Sequence, residues 1–129
     1  MADDRFERAV EFLRKYRGDE AVDTMLEGLR GKGERFAQYS LSSSFGEVYQ
    51  RDGLEDKYRE LVTIAIVATV GDTASQLQTH VDLGLKMGLT PVEIVETVIQ
   101  VAAYAGAPRS SQAMAAVVKA FERNGVEAP

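Results

Sequence analysis

Asp52-Gly53-Leu54-Glu55-Asp56-Lys57-Tyr58-Arg59-Glu60-Leu61-Val62-Thr63-Ile64-Ala65-Ile66-Val67-Ala68-Thr69-Val70-Gly71 is the stretch whose reading decides the fold. Its second half is rich in valine and isoleucine and can be read as a strand. Length, a start signal and a stop signal argue otherwise. Asp52 followed three residues later by Glu55 has the form of a capping box. Gly71 supplies a stop, so the spacing predicts a buried helix ending at Val70.

Similar punctuation divides the rest of the chain. Asp3 or Asp4 is placed to cap a first helix with Phe6, Val10, Leu13 and Tyr16 on one stripe. Asp19 is read as the cap of a short second helix, closed by Gly31 and Gly33. Glu34 to Leu41 continues as helix. Asp72 is read as the cap of a helix ending near Gly88. Thr90-Pro91-Val92-Glu93 combines an N-cap threonine, a proline at the first helical position and a glutamate at the third. Gly106 ends that helix, and Pro108 opens a last one to Arg123. No segment alternates as a half-buried strand does. The fold class is all-α, and residues 1–129 read as one domain.

Composition narrows the function. The 129 residues carry 15 Lys+Arg, 20 Asp+Glu and one His, a net charge of −5. An acidic chain without a basic run is a poor fit to nucleic acid or to an anionic membrane surface. There is no cysteine, so thiolate nucleophiles, thiol redox chemistry and cysteine-ligated metals are excluded. One histidine excludes a multi-histidine metal site within a chain. Met1-Ala2-Asp3-Asp4-Arg5 lacks the basic start and apolar core of a signal peptide. Leu61–Val70 is too short to span a bilayer. A cytoplasmic protein is the default expectation. Leu61–Val70 and Ile94–Tyr104 are apolar on more than one face, which points to a homo-oligomer burying the surplus. A compact monomer with a central helix is the alternative.

His80 is the one side chain suited to moving protons near neutrality. Helical spacing aligns it with Thr73, Gln76, Leu83 or Gly84, and Met87. Gln76, one turn earlier, can hydrogen-bond the ring; equally, His80 is a histidine without a task. Arg59 and Glu60 stand where the helix turns apolar, facing either solvent or a cavity. Glu47 lies among aromatics in Phe45-Gly46-Glu47-Val48-Tyr49, either as a site carboxylate or as a cap answering Ser44. Tyr104 and Arg109 flank a sharp turn that suits an anion or is only a helix corner. Spacing alone does not reveal a reaction.

The ordered set resembles the carboxymuconolactone decarboxylase family, within the alkylhydroperoxidase-D-like superfamily. Arg17-Gly18-Asp19-Glu20-Ala21-Val22-Asp23 resembles its N-terminal element. Phe45-Gly46-Glu47-Val48-Tyr49-x-Arg51-x-Gly53-Leu54 resembles its aromatic-Gly-Glu element, and Arg59-Glu60-Leu61-Val62-Thr63-Ile64-Ala65 its central helix. Leu77-x-x-His80, Gly88-Leu89-Thr90-x-x-Glu93-Ile94 and Tyr104-x-Gly106-x-Pro108 follow in order. The resemblance implies an alkylhydroperoxidase-D-like helical subunit in a trimer or hexamer, with pockets near subunit contacts. It implies cofactor-independent decarboxylation of a small carboxylated lactone or related acid in aromatic catabolism, with no metal or organic cofactor. His80 would be the acid/base, with Glu60 or Glu47 as its partner. Arg51, Arg59 and Arg109 would anchor substrate carboxylates, with Gln76, Thr73 and Tyr104 also lining the site.

The superfamily's peroxidases place cysteines four and seven residues before the histidine. Here those positions are Gln76 and Thr73, so thiol peroxidase chemistry is impossible. The decarboxylases commonly place an acid four residues before it. A neutral Gln76 brings no charge to the ring, so any carboxylate support must come from Glu60 or Glu47. Without that support the ring suits proton abstraction better than donation. An isomerase or cyclase on the same scaffold, or a non-catalytic oligomer that binds small acids, are the competing readings.

Overall fold

The computed structural model describes residues 3–129; Met1 and Ala2, the start of the segment read above for a leader, lie outside the described residues. All regular structure among the described residues is helical. The chain forms two compact units, one running to Leu54 and the other from Glu55 to Pro129.

In the first unit α1 (Arg5–Arg17), α2 (Asp19–Leu29) and α3 (Glu34–Ser43) precede a 3-10 turn, Val48–Gln50. Ala9, Phe12 and Leu13 are the buried residues of α1. Phe12 stacks on Phe45 at 5.6 Å between ring centroids and meets Tyr16 and Tyr49 edge-on at 5.1 and 5.4 Å. Such offset and T-shaped pairs contribute about 0.5–1.5 kcal/mol each beyond the area they bury. Gly46 lets α1 approach this cluster, because a Cβ there would overlap the backbone carbonyl of Arg5.

The second unit holds α4 (Asp56–Val70), α5 (Ala74–Lys86), α6 (Pro91–Ala105) and α7 (Ala107–Arg123). Its core gathers Ile64 and Ala68 of α4, Leu77 and Val81 of α5, Ile94 and Val98 of α6, and Val117 and Phe121 of α7. The valine-rich stretch is the helix its length and stop predict. Its buried residues, Glu60, Ile64 and Ala68, recur every fourth position. Tyr58, Val62, Ile66 and Val70 form a second stripe, each 42–60% exposed in the single chain. Gly71 (φ 78°) ends the helix.

Several caps differ from the sequence expectation. Asp52 and Glu55 do not form a capping box. Gly53, at φ 96°, turns the chain between them, so α4 begins at Asp56 with Glu55 as an N-cap that makes no side-chain cap bond. Asp19 is inside α2, whose N-cap is Gly18; its carboxylate meets Arg14 instead. Asp72, at φ 53°, precedes the N-cap Thr73, whose hydroxyl donates back to the Val67 carbonyl at 2.7 Å. Asp4 is the α1 N-cap without a side-chain cap bond, and its carboxylate pairs with Arg8.

The helix start at Thr90 is where the sequence predicts, and its side chains close a capping box. The Glu93 amide donates to Thr90 Oγ1 at 3.1 Å, and the Thr90 amide donates to Glu93 Oε1 at 2.9 Å. Hydrogen bonds to it from Thr90, the backbone amide's foremost and the side chain's next, hold the Glu93 carboxyl below its ordinary value of 4.5. Thr90→Ala should lower stability by about 1 kcal/mol. A depressed carboxyl stabilises the fold above its unfolded value and loses that contribution as pH falls through the folded one. The difference in melting temperature between the wild type and Glu93→Gln should therefore be full at pH 7 and shrink below pH 4.5. A difference independent of pH would show that the box does not form.

Candidate functional site

The site is built on the facing sides of α4 and α5. Glu60 opens the buried stripe of α4, one turn before Ile64. A carboxylate can stand there because it has an imidazole to meet: Glu60 Oε1 lies 2.5 Å from His80 Nδ1. The Glu60 side chain is wholly buried and the His80 side chain is 20% exposed. One member is thus fixed in the interior while the other is partly exposed. With an Nδ1 proton directed at the carboxylate, Nε2 is the ring atom left to exchange a proton. This is the arrangement by which a carboxylate orients a histidine and stabilises the imidazolium that forms when it accepts a proton.

Gly84, one turn beyond His80, is more than a position on its stripe. A Cβ there would lie 2.9 Å from Leu89 Cδ1, 3.4 Å from Ile64 Cδ1 and 3.5 Å from Glu60 Cγ. A glycine inside a helix costs about 1 kcal/mol relative to alanine, and here it makes room for Leu89, with Glu60 at ordinary contact distance beside it. The legible signal was an isolated glycine within a helical pattern, which usually has a packing reason.

The remaining candidates are distributed as follows. The ring of His80 meets Glu60, twenty residues earlier, while Gln76, on its own helix, is exposed. Arg59 adjoins Glu60 on α4 and is half-buried. Thr73 begins α5 with its hydroxyl committed to the Val67 carbonyl. Tyr104, on α6, is 85% exposed. Arg109 donates to the Val70 carbonyl at 2.5 Å and lies over Gly71, where a Cβ would collide with its guanidinium. It closes the C-terminal end of α4. Glu47 and Arg51 belong to the first unit. Glu47 forms an ion pair with Arg5 at 2.9 Å; Asp3 foremost, and Glu47 with it, hold the Arg5 guanidinium above its ordinary range. Arg51 is exposed, just beyond the 3-10 turn. Of the two carboxylates proposed as partners for His80, the structure brings Glu60 to the ring.

This helical scaffold agrees with what the chain is similar to. Residues 34–119 match the carboxymuconolactone decarboxylase family. A 4-carboxymuconolactone decarboxylase of Acinetobacter baylyi is 30% identical over 122 residues, 95% of this chain and 90% of that protein. A nitrosuccinic acid decarboxylase of Metarhizium robertsii is 28% identical over 110 residues, 84% of this chain and 76% of that one. An uncharacterised 15.0 kDa protein of Paracoccus denitrificans is 37% identical over 71 residues, 54% of this chain and 53% of its own length. The chain belongs to the carboxymuconolactone decarboxylase family, without the cysteine pair of the superfamily's peroxidases. Its relatives' names support a decarboxylase-like role acting on a small molecule.

Proposed function

We propose that this protein is a cofactor-independent carboxy-lyase acting on a small carboxylated lactone or related acid, with the Glu60–His80 pair as its acid/base. The observation that carries the reading is the 2.5 Å contact between a fully buried carboxylate and the chain's one imidazole. The two decarboxylase relatives support it. In a γ-carboxylated lactone the carbon–carbon bond to the departing carboxylate breaks and CO2 leaves. The electron pair moves through the ring's double bond, and negative charge gathers on the lactone carbonyl oxygen. A proton from His80 Nε2 then reaches the α-carbon, and the pair is recharged by solvent. Proton transfer by a positioned side chain contributes about 10²–10⁴-fold. Donors aimed at the oxyanion contribute about 3–4 kcal/mol each. Arg59, beside Glu60, is the anchor we assign first to a substrate carboxylate; Arg51 and Arg109 are further candidates, as are Thr73, Gln76 and Tyr104 for the lining. The protein would work in the cytoplasm.

Turnover and thermal-shift measurements over carboxylated lactones and nitro-substituted diacids test this reading. Release of CO2 without added metal or coenzyme, with loss of the acid in step, is the expected result. A proton shift within the substrate, with no CO2 released, would favour an isomerase; binding without turnover would favour a non-catalytic acid-binding oligomer.

The exposed stripe Tyr58, Val62, Ile66 and Val70 of α4 and the exposed Val92, Ile99 and Tyr104 of α6 support self-association, in which further copies cover this surface; the family resemblance sets the expected number at a trimer or hexamer. Contiguous apolar patches of this kind are uncommon on monomers. Light scattering at micromolar concentration should give a multiple of three chains, and Ile66→Glu should lower that mass. A wild-type protein that remains a monomer would remove the assembly from the proposal.

A further inference from the structure

The edge of α5 opposite its site edge is tied to the end of α7 by three hydrogen bonds. Arg123 donates to Gln78 Oε1 at 3.1 Å and to Asp82 Oδ2 at 2.6 Å. Asn124 Nδ2 donates to Asp82 Oδ1 at 2.6 Å and is itself fixed to the Ala120 carbonyl at 2.7 Å. Gln78 and Asp82 are one turn apart and flank His80 in sequence. With about 100° per residue, Gln78 and Asp82 define one edge of α5 and His80 and Gly84 another. The two edges lie about 160° apart, with the buried Leu77 and Val81 between them. The helix is therefore held from two sides, by α7 through Asp82 and by α4 through the ring of His80.

The two attachments differ in tolerance. The packing of Leu77 and Val81 in the core has no hydrogen-bond direction, so it fixes the rotation of α5 less sharply than a hydrogen bond does. The contact between His80 and Glu60 has no such slack. A side-chain tip about 6 Å from the helix axis moves by about 1 Å for each 10° of rotation. That displacement takes a 2.5 Å contact beyond the reach at which protons transfer well, about 2.6–3.2 Å. A two-point tie to residues one turn apart resists both rotation and sliding of the helix.

We propose that Arg123 and Asn124, through Gln78 and Asp82, are positioning residues that set the rotation of α5 and so hold the imidazole of His80 on the Glu60 carboxylate. The inference rests on the acid/base role given to that pair, but its first readout is independent of turnover. In Arg123→Ala the ring nitrogen and Nδ1-proton resonances of His80, the single histidine, should shift. Half-exposed ion pairs contribute little to stability, so the melting temperature should fall by no more than a few degrees. On a substrate that the wild type turns over, kcat should fall about tenfold with KM unchanged, because the tie acts on the ring's alignment and not on substrate binding. Arg123→Lys, which keeps one contact to Asp82, should recover part of both effects, and Asp82→Asn should reproduce them. Histidine resonances that coincide with the wild type in both Arg123→Ala and Asp82→Asn would overturn the proposal. Shifted resonances in a protein that decarboxylates nothing would leave the tie standing and dismiss the acid/base reading.

Discussion

His80→Gln should lower kcat at least about 100-fold while leaving the fold and the assembly as they are. Glutamine is chosen because it is uncharged and its flexible amide can still reach Glu60 as a donor, so the buried carboxylate keeps a hydrogen-bond partner and the helices keep their spacing. What is lost is the second nitrogen. An amide neither accepts nor releases a proton in the range where an imidazole does, so a step needing proton transfer loses the factor that a positioned acid supplies, about 10²–10⁴. KM should change little if substrate carboxylates are held by arginines, and a fall in kcat and kcat/KM together is the signature of a transition-state interaction. Circular dichroism and the oligomeric mass check that the variant is folded. Undiminished turnover of the true substrate would return His80 to being a histidine without a task.

The parts of this molecule legible in the sequence are those written locally. The reading of Leu61–Val70 as helix rests on run length and on Gly71, and both act within the segment. Thr90-Pro91-Val92-Glu93 forms its box because all its partners lie within four residues. The failures are equally physical. Asp52-Gly53-Leu54-Glu55 has the spacing of a box, but a glycine at φ 96° separates its two members, and spacing carries no dihedral angle. Asp19 and Asp72 are acceptable caps by type, yet Gly18 and Thr73 take those positions.

The site shows the same division. His80 stands out by being unique, and Glu60 by its place at the edge of an apolar helix. Which carboxylate meets the ring is a tertiary fact, since Glu47 and Glu60 are both plausible by type. Gln76 lies one helical turn from His80 and drew the sequence reading to a local partner, whereas the ring is served from another helix. Arg109 lies close to a turn that suits an anion, and the structure occupies it with the Val70 carbonyl at the end of α4. The ties from Arg123 and Asn124 to α5 span about forty residues and leave no periodic trace.

Glu60→Gln is the sharper test, because it alters charge and almost nothing else. The two side chains have the same length and nearly the same volume, so Ile64, Leu89 and Gly84 around it need not move. The amide has two ways to face Nδ1. Through its oxygen it accepts as the carboxylate does, and the ring keeps its tautomer. Through its nitrogen it donates, and the proton of the neutral ring is forced onto Nε2, where it blocks the acceptance of another. In neither case does a negative charge stand beside the imidazolium that forms when His80 takes a proton. We expect kcat to fall about 100-fold or more, KM to stay within a few-fold, and melting temperature to hold. Glu60→Asp, which restores the charge but withdraws it by about one carbon–carbon bond, should fall between Glu60→Gln and the wild type. If the carboxylate acts only through the ring, the double variant His80→Gln with Glu60→Gln should be no slower than His80→Gln alone, the non-additivity expected of residues that work as one unit. Additive losses would mean that Glu60 touches the substrate itself. Wild-type turnover in Glu60→Gln would mean that the buried pair holds α4 to α5 and takes no part in the chemistry.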